Sequence, residues 1–202
     1  NPDPDLQLTR SQVAPADVDY PWQSTNGSGS KNQKAELEKR DSWQRLFMPQ
    51  GAVLAGRTDQ KHWLSMGSGK ILPLFYSRAS VFMAAEGVQA PVRLGEYETM
   101  DSARWKKLES RLDEEEKPWA VGWSTLPNGH ELRLRMSGLL WPEAAQRIAN
   151  SAYLTREAKG KGQIILFADR PSFRGATLGT NRLLLNAIVY GPGLGTQNNI
   201  MP

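Results

Sequence analysis

Two histidines, no cysteine and one compact Asp-Arg cluster set the reactive chemistry open to this chain of 202 residues. A zinc carboxypeptidase site needs a His and a Glu three residues apart, plus a distant second His. Together they hold the metal and leave one position for water. Ser65 follows His62 at that spacing and Arg133 follows His130, so neither histidine makes the pair. Asp59 lies three residues before His62, but one pair falls short of the three ligands a site requires. The spacing predicts a cap or surface role for His62, with Asp59 capping a helical turn over 59–64. His130 follows a Pro-Asn-Gly turn and is expected to be exposed.

The absence of cysteine excludes a disulfide, a thiolate metal site and a cysteine nucleophile. Class I glutaminase chemistry is excluded with it. Met66-Gly-Ser-Gly-Lys70 matches neither a Gly-x-Ser-x-Gly nucleophile elbow nor a phosphate loop. Leu64 stands where the first glycine of such a loop belongs, and Ile71 replaces the magnesium-binding Ser or Thr. Gly191-Pro-Gly-Leu-Gly195 follows a predicted helix and not a strand, so it is no dinucleotide fingerprint. Asp169, Arg170 and Arg174 remain. They follow the C-terminal end of a predicted strand, where ligands lie in open α/β sheets. Two uses stay open. One is a ligand or docking loop whose arginines clamp a carboxylate. The other is a structural Asp-Arg pair that fixes the entry to the next helix.

The elements that must position this cluster are two. Residues 163–168 form an apolar run rich in β-branched types, bounded by glycines before and Asp-Arg-Pro after, which predicts a fully buried central strand. Apolar residues at helical spacing over 178–190 predict a core helix packed across it, stopped by Gly191 and Pro192. Ile164, Leu166, Leu184 and Ile188 are the expected core contacts. Upstream, the patterning predicts strands over 52–55, 80–85, 91–95, 119–123, 131–136 and 151–157. Pro73 confines 71–76 to an edge strand or a loop crossing the core. A charged helix is predicted over 31–46. An amphipathic insertion follows over 99–118, with Asp101 or Ser102 as cap and a charged end at 114–117. Proline in its first turn suits a helix at 142–148, and Gly160-Lys-Gly162 is a tight turn. Residues 26–30 are a flexible polar tract, and Asn26-Gly-Ser28 also fits a glycosylation acceptor.

The net charge of +4 is spread along the chain and not gathered into a basic face, which argues against nucleic acid as a partner. No apolar run approaches a membrane span, and no signal peptide opens the chain. The start without Met reads as a mature or excised piece. Seven tryptophans, at 22, 43, 63, 105, 119, 123 and 141, serve core packing or stacking surfaces for sugars and peptides.

Several blocks taken together resemble a known family. They are Met48-Pro-Gln-Gly51, His62-Trp-Leu-Ser-Met-Gly67, Ser137-Gly-Leu-Leu-Trp-Pro-Glu143, Gly160-Lys-Gly-Gln-Ile-Ile-Leu-Phe-Ala-Asp169, Pro171-Ser-Phe-Arg174 and Asn186-Ala187. They resemble the C-terminal region of large bacterial zinc carboxypeptidases of the carboxypeptidase A-like family, in which a degenerate class I glutamine amidotransferase-like domain follows the zinc peptidase domain. The resemblance implies a three-layer α/β, amidotransferase-like (flavodoxin-like) sheet with helices over 46–196. It leaves 1–45 as a polar extension or linker, 99–118 as an inserted helix and 197–202 as a tail. The early strands of such a domain are not evident, so a partial domain stays open. The family's zinc ligands and catalytic glutamate match no position here. The resemblance therefore implies no catalytic or metal residue in this chain, with zinc held in a preceding peptidase domain. It further implies a non-catalytic accessory role in proteolysis, that peptidase domain as partner, and an extracellular or periplasmic location. The alternative is an independent peptide- or glycan-binding module using exposed tryptophans and the loop 169–174.

Overall fold

A computed structural model describes residues 30–77, 80–110, 120–121, 124–175 and 177–194. The glycosylation acceptor, the charged end at 114–117, the tail 197–202 and Trp22, Trp119 and Trp123 lie outside them.

The chain enters through helix α1 (Ser30–Arg45) and strand β1 (Ala52–Thr58). A 3-10 turn (Trp63–Ser65) leads to β2 (Ile71–Tyr76). Then come β3 (Val88–Leu94), β4 (Glu96–Thr99), α2 (Ser102–Glu109), β5 (Ala120–Val121), β6 (Ser124–Thr125), β7 (His130–Arg133) and β8 (Arg135–Ser137). Helix α3 (Pro142–Ile148), β9 (Ala152–Lys159), β10 (Gly162–Phe167), a second 3-10 turn (Phe173–Gly175) and α4 (Leu178–Tyr190) complete the order.

The main sheet is curled and runs β10-β9-β3-β1-β2, with β8 also on β1; every pairing is antiparallel. Two small ribbons, β4-β7 and β5-β6, stand apart from it. The mixed α/β class expected from the sequence is present. The three-layer amidotransferase-like (flavodoxin-like) sheet is not, because that arrangement needs parallel strands. Connection length gives the physical reason. Parallel neighbours need a crossover of a dozen or more residues, whereas two residues suffice for a hairpin. Lys159 pairs with Gly162, so only Gly160 and Lys161 separate β9 from β10, and Gly160 takes the positive φ of 57° that such a turn favours.

Strand β10 is likewise not central. It is one edge of the sheet, and its residues alternate between exposed and half-buried. Ile164 and Leu166 face outward, so the expected burial of both is corrected. The apolar run reflects an uncovered outer face and not burial on two sides. Residues 80–85 form no strand; a single bridge joins Phe82 to Ala152. Proline at 73 does mark an edge, since β2 ends the sheet on the other side. Asp101 caps α2 by accepting from the backbone N–H groups of Ala103 and Arg104.

One apolar core lies inside the curl. Leu54, Leu74, Tyr76, Val92, Leu94, Tyr153 and Leu154 come from the strands. Trp43, Phe47 and Ile148 seal it from the α1 and α3 side, and Leu183 enters from α4. Trp43 and Phe47 meet edge to face at 4.8 Å, so this tryptophan is used for packing. Gly95 makes the corner between β3 and β4. It holds φ at 104°, and a Cβ there would sit 2.6 Å from Leu132. Gly95→Ala should therefore cost about 2 kcal/mol or more from strain and overpacking combined. A urea-unfolding midpoint equal to that of the parent chain would refute this.

Candidate functional site

Asp169, Arg170 and Arg174 do sit together in the loop after β10, but they divide into two parts. The Asp169 side chain has no solvent exposure. Its carboxylate accepts from Ser77 N at 2.5 Å, from Ser77 Oγ at 3.2 Å and from Arg170 N at 2.7 Å. Ser77 directly follows β2, the opposite edge strand. Asp169 thus joins the ends of the two sheet edges. Phe75 and Phe173 reinforce the same junction, stacked face to face at 4.2 Å with planes 3° apart. This is a structural use of the aspartate. It leaves Arg170 and Arg174 exposed on the rim, each over the Phe173 ring.

Polar groups gather beneath the junction. Tyr76 is fully buried, and its hydroxyl donates to Ser80 O at 2.5 Å. Tyr153 is fully buried too, and among the described residues its hydroxyl has no hydrogen-bond partner. Burial pushes both phenols well above the usual value of 10.0; Arg147 pulls Tyr76 part of the way back, while Asp169 raises both. Arg147, on α3, pairs through Nε with Asp41 Oδ1 of α1 at 2.7 Å and through Nη2 with Asp41 Oδ2 at 3.2 Å. No sequence pattern marks Ser77, Tyr76 and Tyr153 as one group, because only the curl of the sheet brings them to Asp169.

The histidines are elsewhere. His62 is the cap of the first 3-10 turn, its Nδ1 accepting from Leu64 N at 3.1 Å, while Nε2 meets Gln89 Oε1 at 3.1 Å. The cap role expected of Asp59 belongs to His62 instead. Asp59 Oδ1 holds the Lys61 N–H one step earlier, at 2.9 Å. His130 is half-buried after its turn, with Nδ1 2.9 Å from Asn128 O. Among the described residues no group of three or more His, Asp or Glu could hold a metal ion. The Ser77 hydroxyl has a carboxylate neighbour, and the site offers hydrogen bonding and charge.

The second feature is α4, whose amphipathicity is inverted. Its buried positions are Thr180, Leu183 and Asn186. Asn186 Nδ2 donates to Leu64 O and Met66 O, both at 2.9 Å. Leu178, Leu185, Ile188 and Val189 are instead 81%, 53%, 62% and 63% exposed. Expected burial of Ile188 is corrected, and Leu184 is only half-buried. The helix packs mainly on β2 and the first 3-10 turn, not across β10. Its approach is close at Gly179, where a Cβ would lie 2.7 Å from Leu72.

Comparison with known proteins returns no matching family, no matching curated protein and no matching solved structure. Among the described residues no helix is long and apolar enough to cross a membrane.

The two tyrosines separate bonded from unbonded burial. Tyr76→Phe should lose about 1 kcal/mol with its hydrogen bond, whereas Tyr153→Phe should be neutral or stabilising by up to about 1 kcal/mol. A larger loss in Tyr153→Phe than in Tyr76→Phe, measured by chemical denaturation, would contradict this account. Both phenols also tie stability to alkaline pH. Their folded-state values lie above the unfolded one, so the unfolded chain binds fewer protons above pH 10.0. Stability should hold below that pH and fall above it. Ultraviolet titration should show these two phenols ionising only together with unfolding; early, reversible ionisation of all tyrosines in the folded chain would exclude it.

Proposed function

We propose that this chain is a non-catalytic accessory domain of a secreted zinc metallocarboxypeptidase, docked on its own N-terminal peptidase domain through the outer face of α4. One observation carries the docking role: a helix that buries Thr180 and Asn186 yet exposes Leu178, Leu185, Ile188 and Val189. A helix apolar on its outer face while anchored on its inner one is a helix between two layers. Residues 178, 185 and 189 follow the helical row and 188 lies beside them, so the four make one stripe. Intrachain domain interfaces bury about 600–1,500 Å², a scale at which such a stripe forms the apolar centre. The identity of the partner rests on the sequence resemblance, whose fold component is corrected above. Zinc and proteolytic chemistry belong to that preceding domain, and the extracellular or periplasmic location follows from the same parentage.

The test mixes the chain with the separately produced peptidase domain of its parent and follows association by calorimetry. Leu185→Glu with Ile188→Lys should weaken association by roughly a hundredfold, about 1.4 kcal/mol per substituted anchor, with secondary structure unchanged. Two results would reject the reading. One is no association of the parent pair. The other is a homodimer in sedimentation that the same substitutions dissolve, which would give the stripe to a second copy of this chain.

A further inference from the structure

Two guanidinium groups lie over one half-buried ring. Arg170 Cζ lies 4.8 Å and Arg174 Cζ 5.2 Å from the Phe173 centroid. Phe75 lies flat against one face of that ring, which leaves the other face to the arginines. Arg174 arrives from a left-handed backbone of φ 49° and ψ 20°, a conformation that disfavours every side chain and is usual for glycine. The adjoining carboxylate is only a loose partner of one of the two. Asp169 is turned inward onto Ser77 and the Arg170 N–H, and the Arg170 Nε stands 3.9 Å from it, at the outer limit of an ion pair. Among the described residues Arg174 has no carboxylate partner.

We propose that Arg170 and Arg174 form an oxyanion-binding site, taking a ligand that ends in a carboxylate or a phosphate. Like charges brought side by side repel, and an anion between them removes that repulsion. Attraction of a guanidinium to a ring face uses its charge and none of its N–H donors, so the planar forks stay available for oxygen atoms. The Phe75–Phe173 stack fixes the ring and so limits the freedom the arginines lose on binding. The site lies on the loop between β10 and α4 and involves none of the outward α4 residues, so it stands or falls apart from the docking role.

The experiment follows the arginine Nε–H signals of the whole chain by NMR during titration with inorganic phosphate and with acetate. A tripeptide is added with its C-terminus free in one arm and amidated in another. Saturable shifts at Arg170 and Arg174 are expected. They should vanish in Arg170→Ala with Arg174→Ala while the unfolding midpoint stays the same. Arg170→Lys with Arg174→Lys keeps the charge but loses the forks, and should bind roughly tenfold more weakly. Phosphate alone, or acetate and the free peptide alone, supports the site and tells which oxyanion it takes. No saturable shift below about 20 mM, a range already weaker than any useful affinity, overturns it. Equal binding by the double-lysine chain also overturns it, since charge without geometry would then suffice.

Discussion

A single buried carboxylate holds the curl of this sheet. The strand order β10-β9-β3-β1-β2 leaves two edges, and an open antiparallel sheet exposes a row of unpaired backbone groups at each. Asp169, at the end of one edge strand, accepts from both the backbone and the hydroxyl of Ser77, at the end of the other. The edges are thereby tied at one end without a ladder of hydrogen bonds between them. Burying a carboxylate is costly unless its oxygens are satisfied. Here three donors from Ser77 and Arg170 meet it. The Phe75–Phe173 stack adds apolar contact where the two strand ends cross. Leu74, Tyr76 and Tyr153 belong to the one core that the curl encloses.

The same closure turns the carboxylate beside two arginines inward. Its oxygens accept from fixed donors and have no face toward solvent. Charge on the rim and charge in the core are thus separated by one residue. Asp169 points in, where it raises the tyrosine phenols, and Arg170 points out. Arg147 opposes that effect at Tyr76 and is itself fixed by Asp41. Helices α1 and α3 are held to each other by that pair and by Gln44 and Gln146, so the polar cluster and the helical cover are one unit.

What the sequence made legible was local chemistry. The cap at Asp101, the edge position of Pro73, the turn at Gly160 and the helix over 178–190 each follow from one or a few residues, and each is present. Pairing direction and burial were not legible, because both depend on residues far apart in the chain. An apolar run such as Ile164-Ile-Leu166 reads the same whether two layers cover it or one. The run at 80–85 meets its neighbour at a single bridge, Phe82 to Ala152, and forms no ladder. Of the candidate site, the cluster Asp169, Arg170 and Arg174 was visible from its place after a strand. Ser77, which decides what Asp169 does, carries no signal of its own. It becomes a partner only when β2 and β10 are known to be opposite edges.

Inversion of α4 follows from the same geometry. The helix lies over β2 and the 63–66 turn, where the carbonyls of Leu64 and Met66 need donors. Asn186 supplies both from one side chain, and it can do so only from the inner face. Met66 O also accepts from Arg182 Nε at 3.3 Å, so two polar side chains of the helix reach the same turn. The polar anchor therefore fixes the rotation of the helix about its axis. Leu185, Ile188 and Val189 then face outward by periodicity alone. Their hydrophobicity is not needed by anything beneath them.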